Sequence, residues 1–421
     1  MIQHIFKIIW TERKINSWIV FELVLVFCIL WFCVDYISFF VMRYFEPRGF
    51  SIEHVYTVNF GLKEEGVAWM NGNEAQKDSL ADISWMIADR IKKYPDIEAV
   101  SISWYATPYS DGFSGSMIMI DSIEEQTQIK KVTPDFFKVF GMKVLRGNPA
   151  DWNNENDVFI SGNKENLFAK KDVMQVKTFA FNTGDAGYIQ MPAVGVVAPS
   201  KRSEFDPVTA VIYMPLLKNK TKLILIDETE LCVRVKSGAD KGFIPRFTKD
   251  MQEQLSVDPY FLSSVNPMSD VRKEYMKVNG YDNNFKSIFS ISAFLFINIF
   301  LAVVGTFWFR IQTRRGEIGL RVALGSTLIN IKTLFILETL ILLLLASIIA
   351  TVVCVNIAFA DIVKDIGVPS IGRGANPVTF SQYVIDYGIT LLILMIIAVA
   401  AVWYPAKQAS EIPPAEALHD E

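Results

Sequence analysis

The sequence has few of the side chains that carry enzyme chemistry or hold metal ions. Its 421 residues include three histidines, His4, His54 and His419, and no two of them are spaced as in a His-Glu-x-x-His zinc motif. It also lacks a Gly-x-x-x-x-Gly-Lys-Ser/Thr segment, the phosphate-binding loop of many ATPases. We therefore predict a non-catalytic chain that holds no metal or cofactor.

Cysteine is scarce as well, which excludes a scaffold held by disulfides. Three of the four cysteines lie in apolar stretches, and only Cys232 lies outside them, without a partner in its own chain and without an evident role. Ser161 with Gly162, and residues 185–187, are typical of turns rather than catalytic sites. The formal net charge of −4 gives no indication of nucleic-acid binding.

Long apolar stretches are what the sequence does contain. Four of them, residues 17–41, 285–309, 334–360 and 383–404, each meet the need for about 20 mainly apolar residues to cross a hydrocarbon core of about 30 Å as a helix. We predict a membrane α-helical protein with four transmembrane helices, TM1 to TM4. A large α+β extracytoplasmic domain, residues 42–284, is expected between TM1 and TM2.

The distribution of lysine and arginine predicts the orientation. Such residues precede TM1, lie between TM2 and TM3 in residues 310–333, and follow TM4 in residues 405–421. The loop of residues 361–382 carries two cations against two acidic residues. Because an excess of lysine and arginine marks the cytoplasmic side, both termini are expected in the cytoplasm and the large domain outside it.

Residues 1–16 have apolar side chains at helical spacing. This pattern predicts a helix in the cytoplasmic interface of the membrane, with Trp10 and Trp18 as anchors. A continuous extension of TM1 is the alternative.

The domain of residues 42–284 has mixed α and β patterns. Residues 42–110 and 226–284 each contain a strand and a helix, which favours a porter-like split α/β sandwich with an inserted lobe at residues 111–225. The alternating and helical periods predict strands at 54–60, 98–105 and 231–236 and helices at 79–93 and 244–255.

The polar segment between TM2 and TM3 predicts a short helix that docks on a partner. Arg314, Glu317 and Arg321 fall at helical offsets 0, 3 and 7, and Glu317 precedes Arg321 in the order that stabilises a helix by roughly 0.2–0.5 kcal/mol. Arg315 adds a cation, and Gly325 permits a bend. The alternative is a cationic membrane anchor with no partner.

Within the apolar stretches, a few residues predict helix contacts. Ala346 and Ala350 of TM3 and Ala398 of TM4 allow close helix packing, although lipid-facing alanines would show the same pattern. Glu338 lies in the first turns of TM3, where we expect it to be solvated or paired with an arginine rather than to relay protons.

Three segments resemble the MacB/FtsX-type permeases of ABC transporters. Residues 313–327, Thr-Arg-Arg-Gly-Glu-Ile-Gly-Leu-Arg-Val-Ala-Leu-Gly-Ser-Thr, are similar to the core signature of that family. Residues 404–418 resemble its closing Pro-Ala-x-x-Ala…Pro-x-Glu-Ala-Leu motif, and residues 132–147 followed by 157–161 resemble its outward core domain.

This resemblance implies a permease in the bacterial inner membrane that works as a homo- or heterodimer with a separate cytoplasmic ATPase, which binds ATP and Mg²⁺. Motion would pass mechanically to the periplasmic domain, for export of antimicrobial compounds, peptides or other substrates, with a periplasmic adaptor as a possible partner. The alternatives are a lipoprotein-releasing permease, a non-transporting regulator of cell-wall hydrolases, and a membrane receptor without an ATPase. By the same resemblance, the residues that couple to the ATPase are Arg314, Arg315, Glu317, Arg321 and Gly325.

Overall fold

The computed structural model describes residues 2–64, 74–121, 123–161, 173–184, 187–218, 229–359 and 380–410. The chain divides into two compact units. Met1–Met42 with Asn283–Glu421 form the membrane unit, and Arg43–Asp282 form the inserted domain. The predictions for residues 361–379 and 411–421, for Gly162 and for Asp185 lie outside the described residues.

Four of the described helices are long and apolar enough to cross a membrane, in agreement with the four predicted spans. They contain the spans Arg13–Phe45, Tyr281–Thr313, Ile329–Ile357 and Ser381–Trp403 and are labelled α2, α7, α9 and α10 in the next sentence. The described helices are α1 (Ile2–Thr11), α2 (Arg13–Phe45), α3 (Glu74–Lys92), α4 (Phe136–Val139), α5 (Phe243–Leu255), α6 (Met268–Val278), α7 (Tyr281–Thr313), α8 (Arg315–Ala323), α9 (Leu328–Phe359) and α10 (Phe380–Ser410).

The long helices extend beyond the apolar stretches because their polar ends also suit a helix. Helix α9 begins at Leu328 rather than at residue 334, and the hydroxyl of Thr327 caps it by accepting a hydrogen bond from the Asn330 amide at 3.3 Å. Glu338 is therefore about three turns inside the helix rather than in its first turns. At the N-terminus, α1 ends at Thr11 and α2 begins at Arg13, so the chain has a break where the alternative prediction had one continuous helix.

Buried apolar side chains from all four long helices form one core in the membrane unit. Ala346 and Ala350 of α9 and Ala398 of α10 lie in this core and are at most 1% exposed. Small side chains let helix backbones approach closely, and α9 and α10 pack along each other here.

The inserted domain is built on one 11-stranded sheet. Its order is β11-β1-β10-β2-β4-β3-β7-β8-β6-β9, with β5 paired to β8. Since β4 also pairs with β9, in parallel, the strands from β4 to β9 close into a small barrel. The strands are β1 (Val55–Leu62), β2 (Ile97–Trp104), β3 (Gly115–Ile120), β4 (Ile123–Val132), β5 (Val144–Arg146), β6 (Val158–Ser161), β7 (Thr178–Asn182), β8 (Tyr188–Val197), β9 (Val211–Pro215), β10 (Glu230–Val235) and β11 (Tyr260–Pro267).

Apolar side chains of the described residues form separate cores in this domain. Helices α3 and α5 pack against strands β11, β1, β10 and β2 around Ile87 and Phe247, as the strand and helix patterns predict. The barrel has its own core around Ile160 and Ile212. The predicted lobe of residues 111–225 is nevertheless joined to the rest by strand pairing, because β4 continues the sheet from β2.

The structure corrects the prediction for Ser161 and gives the location of Cys232. Ser161 is the buried last residue of β6 rather than part of a turn, and its hydroxyl accepts a hydrogen bond from the Val211 amide at 3.1 Å. Cys232 is buried in β10, and this burial, together with the nearby Glu230 carboxylate, raises the pKa of its thiol well above the ordinary value.

Candidate functional site

A buried ion pair joins the last turn of helix α7 to the interior of helix α9. Arg310 donates to Glu338 at 2.6 Å, and the two side chains are only 6% and 2% exposed. The same Nη2 atom donates to Asn16 Oδ1 of α2 at 2.8 Å. Three long helices therefore meet at one guanidinium group.

Arg314 extends this pair toward the short helix α8. Its Nη1 atom donates to the second oxygen of Glu338 at 2.9 Å, and its Nη2 atom donates to Glu12, between α1 and α2. Both oxygens of Glu338 are thus occupied by arginines, which is the arginine-paired state predicted for this residue. The Arg314 side chain is only 10% exposed, and its guanidinium group pairs with residues of this network.

A short helix was predicted in the segment of residues 310–333, and α8 spans Arg315–Ala323 within it. Glu317 accepts from Arg321 at 2.5 Å, four residues later, and lies 3.8 Å from Arg314. At the other end Gly325 has φ +90°; its amide bonds to the Val322 carbonyl at 3.0 Å, and the Ser326 amide bonds to the Arg321 carbonyl at 2.9 Å. This is a Schellman cap, which glycine favours. Of Arg315, only the backbone is described.

Sequence reasoning missed the apolar face that α8 exposes. Leu320 is 51% exposed and Leu324 is 79% exposed, whereas Ile318 is buried. Two leucines four residues apart were a readable signal, but the charges of the segment dominated its interpretation. Ile329, at the start of α9, is also exposed.

Further polar pairs cross-link the long helices. Glu22 of α2 accepts from Thr306 of α7 at 2.8 and 2.9 Å, and Ser38 of α2 donates to Asp386 of α10 at 2.6 Å. Polar groups within an apolar bundle bond to each other because lipid offers no partner.

In the inserted domain, the loop of residues 199–206 bonds to both chain segments that connect the domain to the membrane helices in sequence. We call residues 43–49, 199–206 and 268–278 the base cluster. Lys201 is fully buried; its ammonium donates to the Arg43 carbonyl at 2.8 Å and pairs with Glu46 at 2.6 Å. Its burial lowers the pKa of Lys201, although Glu46 opposes that shift.

Glu204 is the central acceptor of the base cluster. One oxygen accepts from Tyr109 at 2.8 Å, from Arg48 at 3.0 Å and from Arg272 of α6 at 2.8 Å. Burial raises the pKa of this carboxyl, but hydrogen bonds from Arg272, its own backbone and Tyr109 outweigh burial and hold the pKa below the ordinary value. We call residues 43–49 the entry segment and α6 the exit helix. The ionised Glu204 carboxylate therefore binds both the entry segment and the exit helix.

Asp206 repeats this arrangement two residues later. It accepts from Ser203 at 2.6 Å, from Tyr275 of α6 at 3.2 Å and from Arg202 at 3.4 Å. Rings add to these bonds, because Phe205 stacks on Tyr281 with centroids 5.1 Å apart. The base cluster is thus held by charges and aromatic contacts together.

Comparison with known families adds to this geometry. Residues 289–414, which include most of α7, all of α8 and α9, and α10, match the family model described as the FtsX-like permease C-terminal domain. Over these residues, the chain matches the FtsX-like permease family. The matched residues include Arg310, Arg314 and Glu338 and the exposed leucines of α8.

Solved structures that match part of this chain come from several bacteria. A domain of a putative permease from Porphyromonas gingivalis is 16% identical, with a TM-score of 0.32, over 52% of this chain and 93% of that one. The periplasmic region of MacB from Actinobacillus actinomycetemcomitans is 15% identical, with a TM-score of 0.32, over 56% and 98%. The extracellular domain of the ABC-type transporter YknZ from Gram-positive bacteria is 11% identical, with a TM-score of 0.29, over 50% and 100%. No curated protein matches the sequence.

Proposed function

We propose that this chain is the permease subunit of an ABC transporter and transmits motion from a separate ATPase to the inserted domain. In this proposal, the ATPase binds ATP and Mg²⁺ and docks on α8 at the cytoplasmic side of the bacterial inner membrane. The inserted domain lies in the periplasm, and two permease copies work together.

The observation that carries this proposal is the junction of α8 with the buried network. Leu320 and Leu324 offer an exposed apolar face, and Arg314, which directly precedes α8, is bonded to Glu338 and Glu12. A displacement of α8 would therefore act on α9 and on the region between α1 and α2. Removing one partner of a buried ion pair costs about 3–5 kcal/mol, so this junction resists separation.

The base cluster supports transmission at the other end. Because Glu204 binds Arg48 on the entry segment and Arg272 on the exit helix, the two segments would move as one body rather than separately. Residues 199–206 would pass that movement to the barrel through β9, which follows them in the chain.

Export of a substrate held outside the bilayer fits the small number of ionisable groups in the long helices. An intramembrane transport path needs such groups along its length. Here Arg310 pairs with Glu338, whereas Glu22 accepts from Thr306 and Asp386 accepts from Ser38. We therefore propose mechanical export of peptides, antimicrobial compounds or similar molecules, with a periplasmic adaptor as a further partner.

Purification of the full-length chain from its host in mild detergent tests the proposal. We expect a second polypeptide with a Walker A motif to co-purify and the complex to hydrolyse ATP. The double variant Leu320→Asp/Leu324→Asp places two charges on the exposed face of α8 and should lose both.

Phe113→Asp is the matched control, because Phe113 is an exposed apolar residue of the inserted domain. This variant should retain the ATPase. ATP hydrolysis by the chain alone, or retention of the ATPase by the double variant, would refute the proposal.

A further inference from the structure

A small cavity in the inserted domain contains a buried cation. The loop of residues 105–114, strand β4 and Arg202 form its wall, and Lys130 of β4 lies in that wall. Lys130 is only 5% exposed. Lysine is rarely buried to this extent without a partner, because removing its charge from water is unfavourable.

The strand register explains why Lys130 faces this cavity. In β4, Ile129 pairs with Ile212, which belongs to the barrel core, so Lys130 faces the outer side of the barrel. The loop of residues 105–114 lies over that side. The side chain of Lys131, the next residue of the strand, lies on the opposite face of the sheet, and its ammonium is 5.1 Å from the centre of the Trp104 ring.

No carboxylate pairs with Lys130 among the described residues. Glu230 is the nearest source of negative charge, but one of its oxygens already accepts from Ser103 at 2.9 Å, from the Ala106 amide at 3.0 Å and from the Thr107 amide at 2.9 Å. Burial lowers the pKa of Lys130 to about 8, so the amine is still mainly protonated at neutral pH.

The rest of the cavity wall also suits a negative charge. Arg202, which also pairs with Asp206 at 3.4 Å, and the hydroxyl-bearing residues Thr107, Ser110 and Ser114 line it, and none of the described lining residues is acidic. Tyr105 is partly exposed at the wall and has φ +51°, an unfavourable backbone conformation of the kind that often occurs at binding sites. The cavity is small, with about the room that one water molecule needs, so it limits any ligand to a single small ion or the tip of one carboxylate group.

We propose that this cavity binds a small anion, a halide ion or a single carboxylate group, through the Lys130 ammonium. Arg202 and the surrounding hydroxyls would complete its hydrogen bonds. This site is distinct from the proposed ATPase-docking face of α8, although Arg202 in its wall also belongs to the base cluster.

Thermal unfolding of the full-length protein in detergent tests this site. Sodium chloride, bromide or acetate is titrated against a bulky sulfonate salt at constant ionic strength. The wild type should show a saturable rise in unfolding temperature with the small anions. The relative affinities for halide and acetate then separate a free halide from a carboxylate as the preferred ligand.

Lys130→Met removes the ammonium, and Lys131→Met is the matched control on the other side of the same strand. We expect an affinity loss of about tenfold or more in Lys130→Met, because a charge-assisted hydrogen bond is lost, and no loss in Lys131→Met. A saturable effect that persists in Lys130→Met, or only a non-saturable salt effect in the wild type, would overturn the proposal.

Bromide-soaked crystals of the wild type provide a second test that needs no variant. We expect an anomalous peak within hydrogen-bonding distance of Lys130 Nζ. A cavity without bromide at concentrations that saturate the thermal effect would place the anion elsewhere and refute the assignment.

Discussion

Replacement of Glu204 by glutamine tests the base cluster most sharply. The substitution keeps the shape of the side chain but removes the charge that Arg48 and Arg272 share. A hydrogen bond to a charged group contributes about 1.5–3 kcal/mol, and two such bonds are weakened here. Since both arginines are about one third exposed, water compensates part of the loss, and we expect the local free energy of unfolding to fall by about 2–3 kcal/mol.

Hydrogen exchange followed by mass spectrometry measures this change in the full-length protein. In peptides from residues 199–206 and 268–278, a loss of about 2 kcal/mol corresponds to exchange roughly 30-fold faster. Glu124→Gln is the matched control, because Glu124 is an exposed carboxylate that accepts from Tyr188 at 2.7 Å. Equal exchange in Glu204→Gln and the control would refute the reasoning.

The pH dependence of this difference has a definite sign. Because the pKa of Glu204 is lower in the folded protein, its stabilisation is present above the ordinary carboxyl pKa and is lost as the pH falls through the folded value. The difference between wild type and Glu204→Gln should therefore be full at neutral pH and shrink under acid conditions. A difference that grows on acidification would contradict this assignment of charge.

Substitutions at two further places test other parts of the fold. Gly49 has φ +78°, and an added Cβ would lie 2.2 Å from the Pro199 carbonyl oxygen, so Gly49→Ala should lower the unfolding free energy by about 2 kcal/mol or more in a denaturant titration, and a neutral result would contradict the close approach. In the membrane unit, Arg310→Met should lower the thermal stability in detergent. Combined with Glu338→Met, it should cost less than the sum of the two single losses, with a coupling of about 1 kcal/mol or more, and simple additivity would contradict the ion pair.

Much of the architecture could be predicted because its signals are local. The four spans follow from runs of apolar residues, and helices such as α5 follow from the spacing of Phe243, Phe247 and Met251. The charged helix α8 and its glycine end were likewise readable from a short segment.

The contacts that join distant segments could not be predicted in this way. The barrel depends on pairing of Gln128 with Val211, and the base cluster brings Arg48, Glu204 and Arg272 together from three separate parts of the chain. In each case the partner is set by tertiary packing, which no local period encodes. The inward direction of Arg314 was missed for the same reason, because Glu338 and Glu12 lie far from it in sequence.

The central claim is that nucleotide-driven movement of a docked ATPase reaches the inserted domain through α8. A spin label introduced through an unnatural amino acid at Asp82, an exposed position of α3, measures the distance between the two copies of the chain that we propose for the complex. We expect the distance distribution to shift between the nucleotide-free and the vanadate-trapped states, and the shift to disappear when Leu324→Asp weakens docking. Identical distributions in the two nucleotide states of the intact complex would contradict the account.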